Sequence, residues 1–332
     1  MKDLQAIVRH LAGAGPGAAG VLATLVAVEG SSYRRAGARM LFAPGGGRIG
    51  SISGGCLEED LSERAGTVAR TGRAETVVYD TTSENDLVWG VGTGCHGVVR
   101  LLLEPLPGRP AWIGTLAQNF EQGRPTPLEV VWEASDPALL GTRLSGGPPA
   151  PASARVFLET VAPAPRLVVF GAGDDARPLA RLASELGWRV AVGDPRPAFA
   201  TPGRFPEAGE LAVGPADALV SRLDPGPGDL AVVMTHHYVH DVPILRALLA
   251  RPLAYLGLLG PRLRAEKILS DLAADGFAIS PDMRRLLRAP VGLDLGADHP
   301  EDIALSILSE MRAALAGRDG RPLRERSGPI HG

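Results

Sequence analysis

Arg166-Leu167-Val168-Val169-Phe170-Gly171-Ala172-Gly173-Asp174-Asp175-Ala176 is the stretch that decides the architecture of this 332-residue chain. An apolar run ends at Phe170, and a Gly-x-Gly-x-x-Ala turn follows at once. The run predicts a buried strand over Arg166–Phe170, and residues 175–186 predict a helix. In such a turn Gly171 allows the sharp reversal, and Gly173 lets backbone approach a pyrophosphate. Ala176 keeps the helix close to the sheet. The helix start supplies free N–H groups and partial positive charge to an anion. Asp194 lies 23 residues past Gly171, at the end of a second strand, where an acid is expected to bond a ribose hydroxyl. Asp174 and Asp175 complicate this picture, because carboxylates at a helix start also act as N-caps and compete with phosphate. A nucleotide site and a repurposed pocket both stay open, and hydride transfer does not follow from the turn.

Outward from this stretch the rhythm is strand, helix, strand. Trp188–Val192, Leu230–Met234 and Leu253–Leu258 read as strands; 241–250, Pro261–Asp275 and 299–316 read as helices. Short apolar runs alternating with helices imply a Rossmann-like doubly wound parallel sheet, whose ligands sit at the carboxyl ends of the strands. At those ends the chain places Thr235-His236-His237-Tyr238-Val239-His240-Asp241 and Gly257-Leu258-Leu259-Gly260-Pro261-Arg262. His236 and His240 are four apart, yet His237 stands where a zinc-protease signature needs Glu. One His and Asp241 are expected to line the cleft, with Asp241 also capping the next helix; a wholly structural role for the His residues is the alternative. Gly260 permits close approach, and Arg262 is suited to pair with phosphate or else to sit in solvent. Asp298 and Glu301 have capping-box spacing before the last helix.

Pro163-Ala164-Pro165 is a stiff junction, so the expected domains are 1–162 and 163–332, the first a smaller α+β unit. Within the first, Val21–Val28 predicts a strand and Arg39–Ile52 a hairpin across Pro44-Gly45-Gly46-Gly47. A helix is expected from about Cys56 to Arg70, and strands at Thr76–Tyr79 and Val98–Leu103. Residues 105–151, rich in Pro and Gly with strand-like pieces, read as a variable segment.

The first domain holds both cysteines, each beside glycine: Ser53-Gly54-Gly55-Cys56-Leu57-Glu58 and Gly92-Thr93-Gly94-Cys95-His96-Gly97. A Cys at a helix start has a lowered pKa, and its thiolate is a nucleophile or a metal ligand. Isolated cysteines are also often inert and buried. The 39 residues between the two thiols do not make a zinc site. Gly30-Ser31-Ser32-Tyr33-Arg34-Arg35 adds hydroxyl and guanidinium groups suited to an anion.

Composition sets the outer bounds. A net charge of −3 without a basic block excludes electrostatically driven nucleic-acid binding and a polybasic membrane contact. No apolar run approaches the ~18 residues of a membrane span, and the start has no signal-peptide pattern. Two cysteines do not form a disulfide framework, which points to a reducing cytoplasm.

The segments GSSYRRAGARMLF, GSISGGCLEED, RLVVFGAGDDARPLARLA, MTHHYVHD, YLGLLGPR and VGLDLGADHPEDIALSI together resemble the XdhC/CoxI accessory proteins of xanthine dehydrogenase and related molybdenum hydroxylases. The resemblance runs from about Val21 to the last helix, interrupted by 105–151. It implies a non-catalytic maturation factor that binds molybdenum cofactor, protects it during sulfuration and passes it to an apo-hydroxylase. It also implies a cysteine desulfurase as partner, and a homodimer. Carried over by motif, the implied cofactor residues are Gly54, Gly55, Cys56, Glu58, Gly94, Cys95, Gly171, Gly173, His236, Asp241, Gly260 and Arg262. Ser53, His237 and Asp194 join them from the reading of the residues, with Cys56 the candidate ligand of the cofactor's molybdenum. Ala36, His96 and His299 depart from the family pattern, and His96 bears on the role of Cys95. The cofactor, as molybdopterin or its dinucleotide form, is expected between the domains, its phosphate toward Gly171–Ala176 or Arg262 and its metal near Cys56. The alternative is an NAD(P)-dependent oxidoreductase acting on a small alcohol or carbonyl, with Asp194 on the ribose and His236 or His237 as acid/base.

Overall fold

The computed structural model describes residues 2–13, 20–82 and 97–327. They form two compact units that divide between Pro163 and Ala164.

The first unit begins with α1 (Lys2–Gly13), β1 (Gly20–Gly30), β2 (Arg39–Phe42) and β3 (Arg48–Gly50). It continues through α2 (Glu58–Thr71), β4 (Glu75–Asp80), β5 (Gly97–Leu106), α3 (Ala111–Gln122), β6 (Thr126–Glu133), β7 (Gly141–Leu144) and β8 (Arg155–Val161). The order β3-β2-β1-β5-β4 makes an antiparallel sheet, and β7-β6-β8 a second, smaller one. Period-two alternation along β1 decides what each face touches. Val21, Ala23 and Leu25 pack with Leu61, Ala65 and Val68 of α2. Leu22 on the opposite face packs with α1 and α3, and Val26 packs with Val130 and Trp132 of β6.

Residues 105–151, read as a variable segment with strand-like pieces, hold the strands β6 and β7 and, beyond that reading, the helix α3. Trp112, Ile113 and Leu116 are its buried residues, at helical spacing. Gly123, left-handed at φ +66°, ends it.

The second unit carries β9 (Arg166–Phe170), α4 (Ala176–Glu185), β10 (Arg189–Asp194), β11 (Glu210–Val213), α5 (Ala216–Leu223) and β12 (Leu230–Val233). After them come α6 (Tyr238–Leu249), β13 (Tyr255–Leu258), α7 (Arg262–Ala274), α8 (Pro281–Leu286), β14 (Leu287–Arg288) and α9 (Pro300–Leu315). The sheet is parallel throughout, in the order β11-β10-β9-β12-β13-β14. That is the doubly wound arrangement, in which the chain reverses direction across the sheet between β9 and β12. Both faces are covered: α4 and α9 pack on one, and α5, α6 and α7 on the other. A strand buried on both faces reads as a continuous apolar run, as β9 does. The fold is therefore a parallel α/β sheet preceded by a smaller antiparallel unit.

Arg166 locks the far end of this sheet. Its guanidinium donates to Glu210 (2.7 and 3.2 Å), to Asp229 (3.0 Å) and to the Leu223 carbonyl (2.7 Å). Asp298 and Glu301 do not form the expected capping box: His299 is the N-cap of α9 and makes no side-chain capping bond. Pro300 at the first position starts the helix instead. Among the described residues no helix is long and apolar enough to cross a membrane.

Candidate functional site

In the first unit, the β3–α2 loop carries the exposed thiol of Cys56. The loop is tied from within. The Ser53 hydroxyl donates to the Glu58 carboxylate and accepts the N–H groups of Gly55 and Leu57 (3.2 Å each). The same carboxylate accepts the N–H groups of Ser53 (2.8 Å) and Leu57 (3.2 Å). Burial would raise the Glu58 pKa, but the Ser53 hydroxyl and these N–H donors outweigh it and hold the group below the usual carboxylate range. Gly55 has φ +118°, which a side chain rarely adopts, so the reversal ahead of Cys56 needs glycine.

This arrangement corrects two expectations. Cys56 is not at the helix start: α2 begins at Glu58 with Leu57 as N-cap, and the Glu58 carboxylate occupies the positive end of the helix. Glu58 is buried and turned inward, so it shapes the loop and is not free to contact a ligand.

Beside the loop lies a cavity of about 270 Å³. Ser53, Gly54 and Cys56 line one side of it, and Ser31, Ser32 and Tyr33, after β1, line another. Thr81 and Gly97 close a third side; the Thr81 hydroxyl donates to the Gly97 carbonyl (2.8 Å) and accepts its N–H (3.1 Å). These two residues bracket 83–96 in the sequence; Gly94 and Cys95 lie outside the described residues. Arg34, which sequence suggested for an anion, is committed to Asp3 (2.8 Å) and Ser51 (3.1 Å). Ser31, Ser32 and Tyr33 were legible as a polar cluster after a strand, whereas nothing local marked Thr81.

In the second unit, the turns after β9 and β12 meet where the sheet reverses its strand order. Gly171, at φ +113°, is pressed against the end of β12: a β-carbon there would stand 2.4 Å from the Met234 carbonyl oxygen. Asp175 is the N-cap of α4 but makes no side-chain bond to that helix. Its Oδ2 lies 2.6 Å from Nε2 of His236, a residue held at φ +58°. The Asp175 hydrogen bond raises the His236 pKa against the opposing effect of burial. Asp174 turns to Arg204 instead, at 2.9 Å. Gly173 belongs to the same turn, and a β-carbon there would stand 2.5 Å from the Asp175 carboxylate.

Asp194 departs from the role expected of it. It is fully buried; Oδ2 accepts the Ala172 N–H (2.7 Å), and Oδ1 accepts the Arg196 N–H (2.8 Å). The Arg196 guanidinium adds two bonds of 2.9 Å and stacks 3.6 Å from the Phe199 ring centroid. Burial raises the Asp194 pKa, but these donors win and the group is held low. Its oxygens anchor the Gly-rich turn and are not presented to a ribose.

Asp241 is likewise inside, in the first turn of α6 and not its cap; the cap is His237, exposed, its ring 5.3 Å from that of His240. The Thr235 hydroxyl donates to Asp241 at 2.5 Å, and Arg264 pairs with the other Asp241 oxygen. A β-carbon on Gly260 would lie 3.4 Å from Cδ of this Arg264, which the sequence reading did not single out. Arg262 is exposed and lines a separate hollow with Glu266 and Arg284. Arg262 and Arg264 are two residues apart and so point to different sides of α7, and the packing of that helix decides which of them reaches Asp241. Among the described residues no group of three or more His, Cys, Asp or Glu is placed to hold a metal ion.

Residues 14–80 match the profile of the XdhC and CoxI family, and residues 167–311 that of the XdhC Rossmann domain. Over 311 residues the chain is 36% identical to a probable xanthine dehydrogenase subunit of Bacillus subtilis, covering 88% of this chain and 92% of that protein. Over 296 residues it is 27% identical to the molybdenum cofactor insertion chaperone PaoD of Escherichia coli, covering 89% and 83%. The crystal structure of a xanthine dehydrogenase from Bacillus halodurans superposes with a TM-score of 0.80 at 33% identity, over 99% of each chain.

Proposed function

The chain belongs to the XdhC and CoxI family, and from that premise we propose that it binds molybdenum cofactor and delivers it to an apo-hydroxylase of the xanthine dehydrogenase type. The relative named as a cofactor insertion chaperone supports the reading, and one observation carries it: the exposed Cys56 thiol beside a cavity lined by the hydroxyl residues Ser31, Ser32 and Tyr33 and by the apolar Leu25, Ile52 and Val99.

The residues fit such a cargo at one end. A thiolate suits a soft metal, and Ser31, Ser32 and Tyr33 offer hydroxyls that both donate and accept, as pterin nitrogens and oxygens require. About 270 Å³ lies just below the usual range for small-molecule sites, so the cavity takes part of the cofactor and not the whole. Ser53 and Glu58 hold the loop so that the thiol is presented without a conformational search. The cargo itself supplies the molybdenum chemistry that the client enzyme uses. In this reading the protein shelters the cofactor while a cysteine desulfurase provides sulfur; it acts as a homodimer in the cytoplasm, and it is not itself an enzyme. The oxidoreductase alternative is weaker, since the carboxylate it assigned to the ribose already has both oxygens engaged.

The test is titration of purified protein with molybdenum cofactor, wild type against Cys56→Ala, followed by reconstitution of an apo-hydroxylase. Weaker binding and slower transfer are expected for the variant. Equal affinity with equal transfer would remove Cys56 from the mechanism.

A further inference from the structure

Two loops of the first unit wall the cavity beside Cys56: Ser31 to Tyr33, after β1, and Ile52 to Gly54, after β3. The first loop is pinned near both ends. A β-carbon on Gly97 would stand 2.5 Å from the Ser31 carbonyl oxygen, so β5 presses on its start. At its finish the Gly37 N–H donates to the Leu25 carbonyl (2.7 Å). Between these points the side chain of Arg34 is the tether. Its Nη2 donates to Oδ2 of Asp3 (2.8 Å), and its Nη1 to Oγ of Ser51 (3.1 Å), the residue that leads into the second loop. Among the described residues no other hydrogen bond joins the two loops. The anchor is itself fixed. Leu4, Ile7, Val8 and Leu11 hold α1 against Leu22 and Leu41, and a β-carbon on Gly50 would lie 3.4 Å from that of Asp3. Neither Arg34 nor Asp3 lines the cavity, so Asp3 acts on it only through Arg34.

We propose that Arg34 is a positioning residue of the Cys56 cavity: its guanidinium, anchored on α1, holds the wall of Ser31 to Tyr33 at a set distance from the thiol-bearing loop, and so presets the opening that receives the pterin end of the cofactor. A planar fork with donors on both nitrogens serves a carboxylate and a hydroxyl at once, which the single ammonium of a lysine does less rigidly. Without this brace the walls must be ordered when the ligand arrives, and affinity falls by that cost. The inference deepens the delivery reading and rests on it.

The probe is molybdenum cofactor released from a purified molybdoenzyme, titrated calorimetrically into the full-length protein. Arg34→Met should weaken binding by about tenfold, the scale of ordering one or two wall side chains on binding. The deciding variant is Asp3→Asn, which alters a residue outside the cavity and should weaken binding in the same direction. Arg34→Glu combined with Asp3→Arg reverses the pair and should restore most of the affinity that Arg34→Glu loses alone. Thermal melts should hardly move, because the pair is partly exposed and α1 keeps its apolar packing. Hydrogen–deuterium exchange, read without any ligand, should rise at residues 31–34 and 51–54 in Asp3→Asn and fall back in the reversed pair. If Arg34→Met weakens binding while Asp3→Asn leaves both affinity and exchange at wild-type values, Arg34 touches the ligand directly and the brace is overturned. Unchanged binding in both single variants overturns it as well. Wild-type protein that ignores the cofactor ends the delivery reading, and the exchange measurement then decides the brace by itself.

Discussion

A β-carbon on Gly171 would stand 2.4 Å from the carbonyl oxygen of Met234, so the turn after β9 and the end of β12 are in contact through bare backbone. That contact is what brings Asp175 and His236 within a hydrogen bond. Gly171→Ala adds both the clash and the strain of a positive φ, and should destabilise the second unit by roughly 3 kcal/mol or more. Differential scanning calorimetry checks this; an unchanged melting profile would contradict the geometry.

The His236–Asp175 pair makes a pH-dependent contribution whose sign is set by the raised His236 pKa. A folded-state value above the ordinary His value of about 6.5 means that the pair's stabilisation is fully present below that value. It is lost as pH rises through the higher folded value. The pair is partly solvated, so the effect is small. Proton NMR titration of the His236 imidazole should show a midpoint above the usual range, falling toward it in Asp175→Asn.

Acid acts on the opposite side of the balance. Glu58 and Asp194 both have depressed folded-state values. Their stabilisation is present above the ordinary carboxylate value of about 4 and disappears as pH falls through the lower folded value. Asp194→Asn should cost about 2–3 kcal/mol near pH 7, since a fully buried acceptor of four hydrogen bonds loses its charge. Urea unfolding at pH 7 and again near pH 3 checks it: the gap between variant and wild type should narrow in acid.

The Cys56 thiol is open to solvent while the loop beneath it is held by Ser53 and Glu58. Iodoacetamide should therefore alkylate Cys56 in the folded protein, with peptide mapping to separate it from Cys95. Ser53→Ala removes the hydroxyl that bridges Gly55, Leu57 and Glu58, and should lower stability by about 1–2 kcal/mol. It should also broaden the Cys56 resonances, because the loop loses its internal acceptor. No labelling of Cys56 without denaturant would place the thiol differently.

Continuous apolar runs such as Leu167–Phe170 and the turn that follows can be read directly, because a strand covered on both faces must be apolar along its whole length. The helix α3 was obscured by the Pro- and Gly-rich sequence around it, and only its packing against α1 shows why Trp112 and Ile113 are there. Glycines mark the turns at Cys56 and Gly171 because positive φ and close backbone approach both select for them. Side-chain destinations are another matter. Asp194 sits at the position of a ribose ligand yet points inward to Ala172 and Arg196.

From residue order alone came the parallel sheet of the second half and the glycine-marked turns, since local backbone preference and apolar periodicity are short-range properties. Tertiary structure alone decided that Glu58 turns inward, that Arg264 meets Asp241, and that Asp175 holds His236 across 61 positions of sequence. Charged side chains are long and flexible, and which partner each one reaches depends on how the helices and strands bearing them pack in three dimensions.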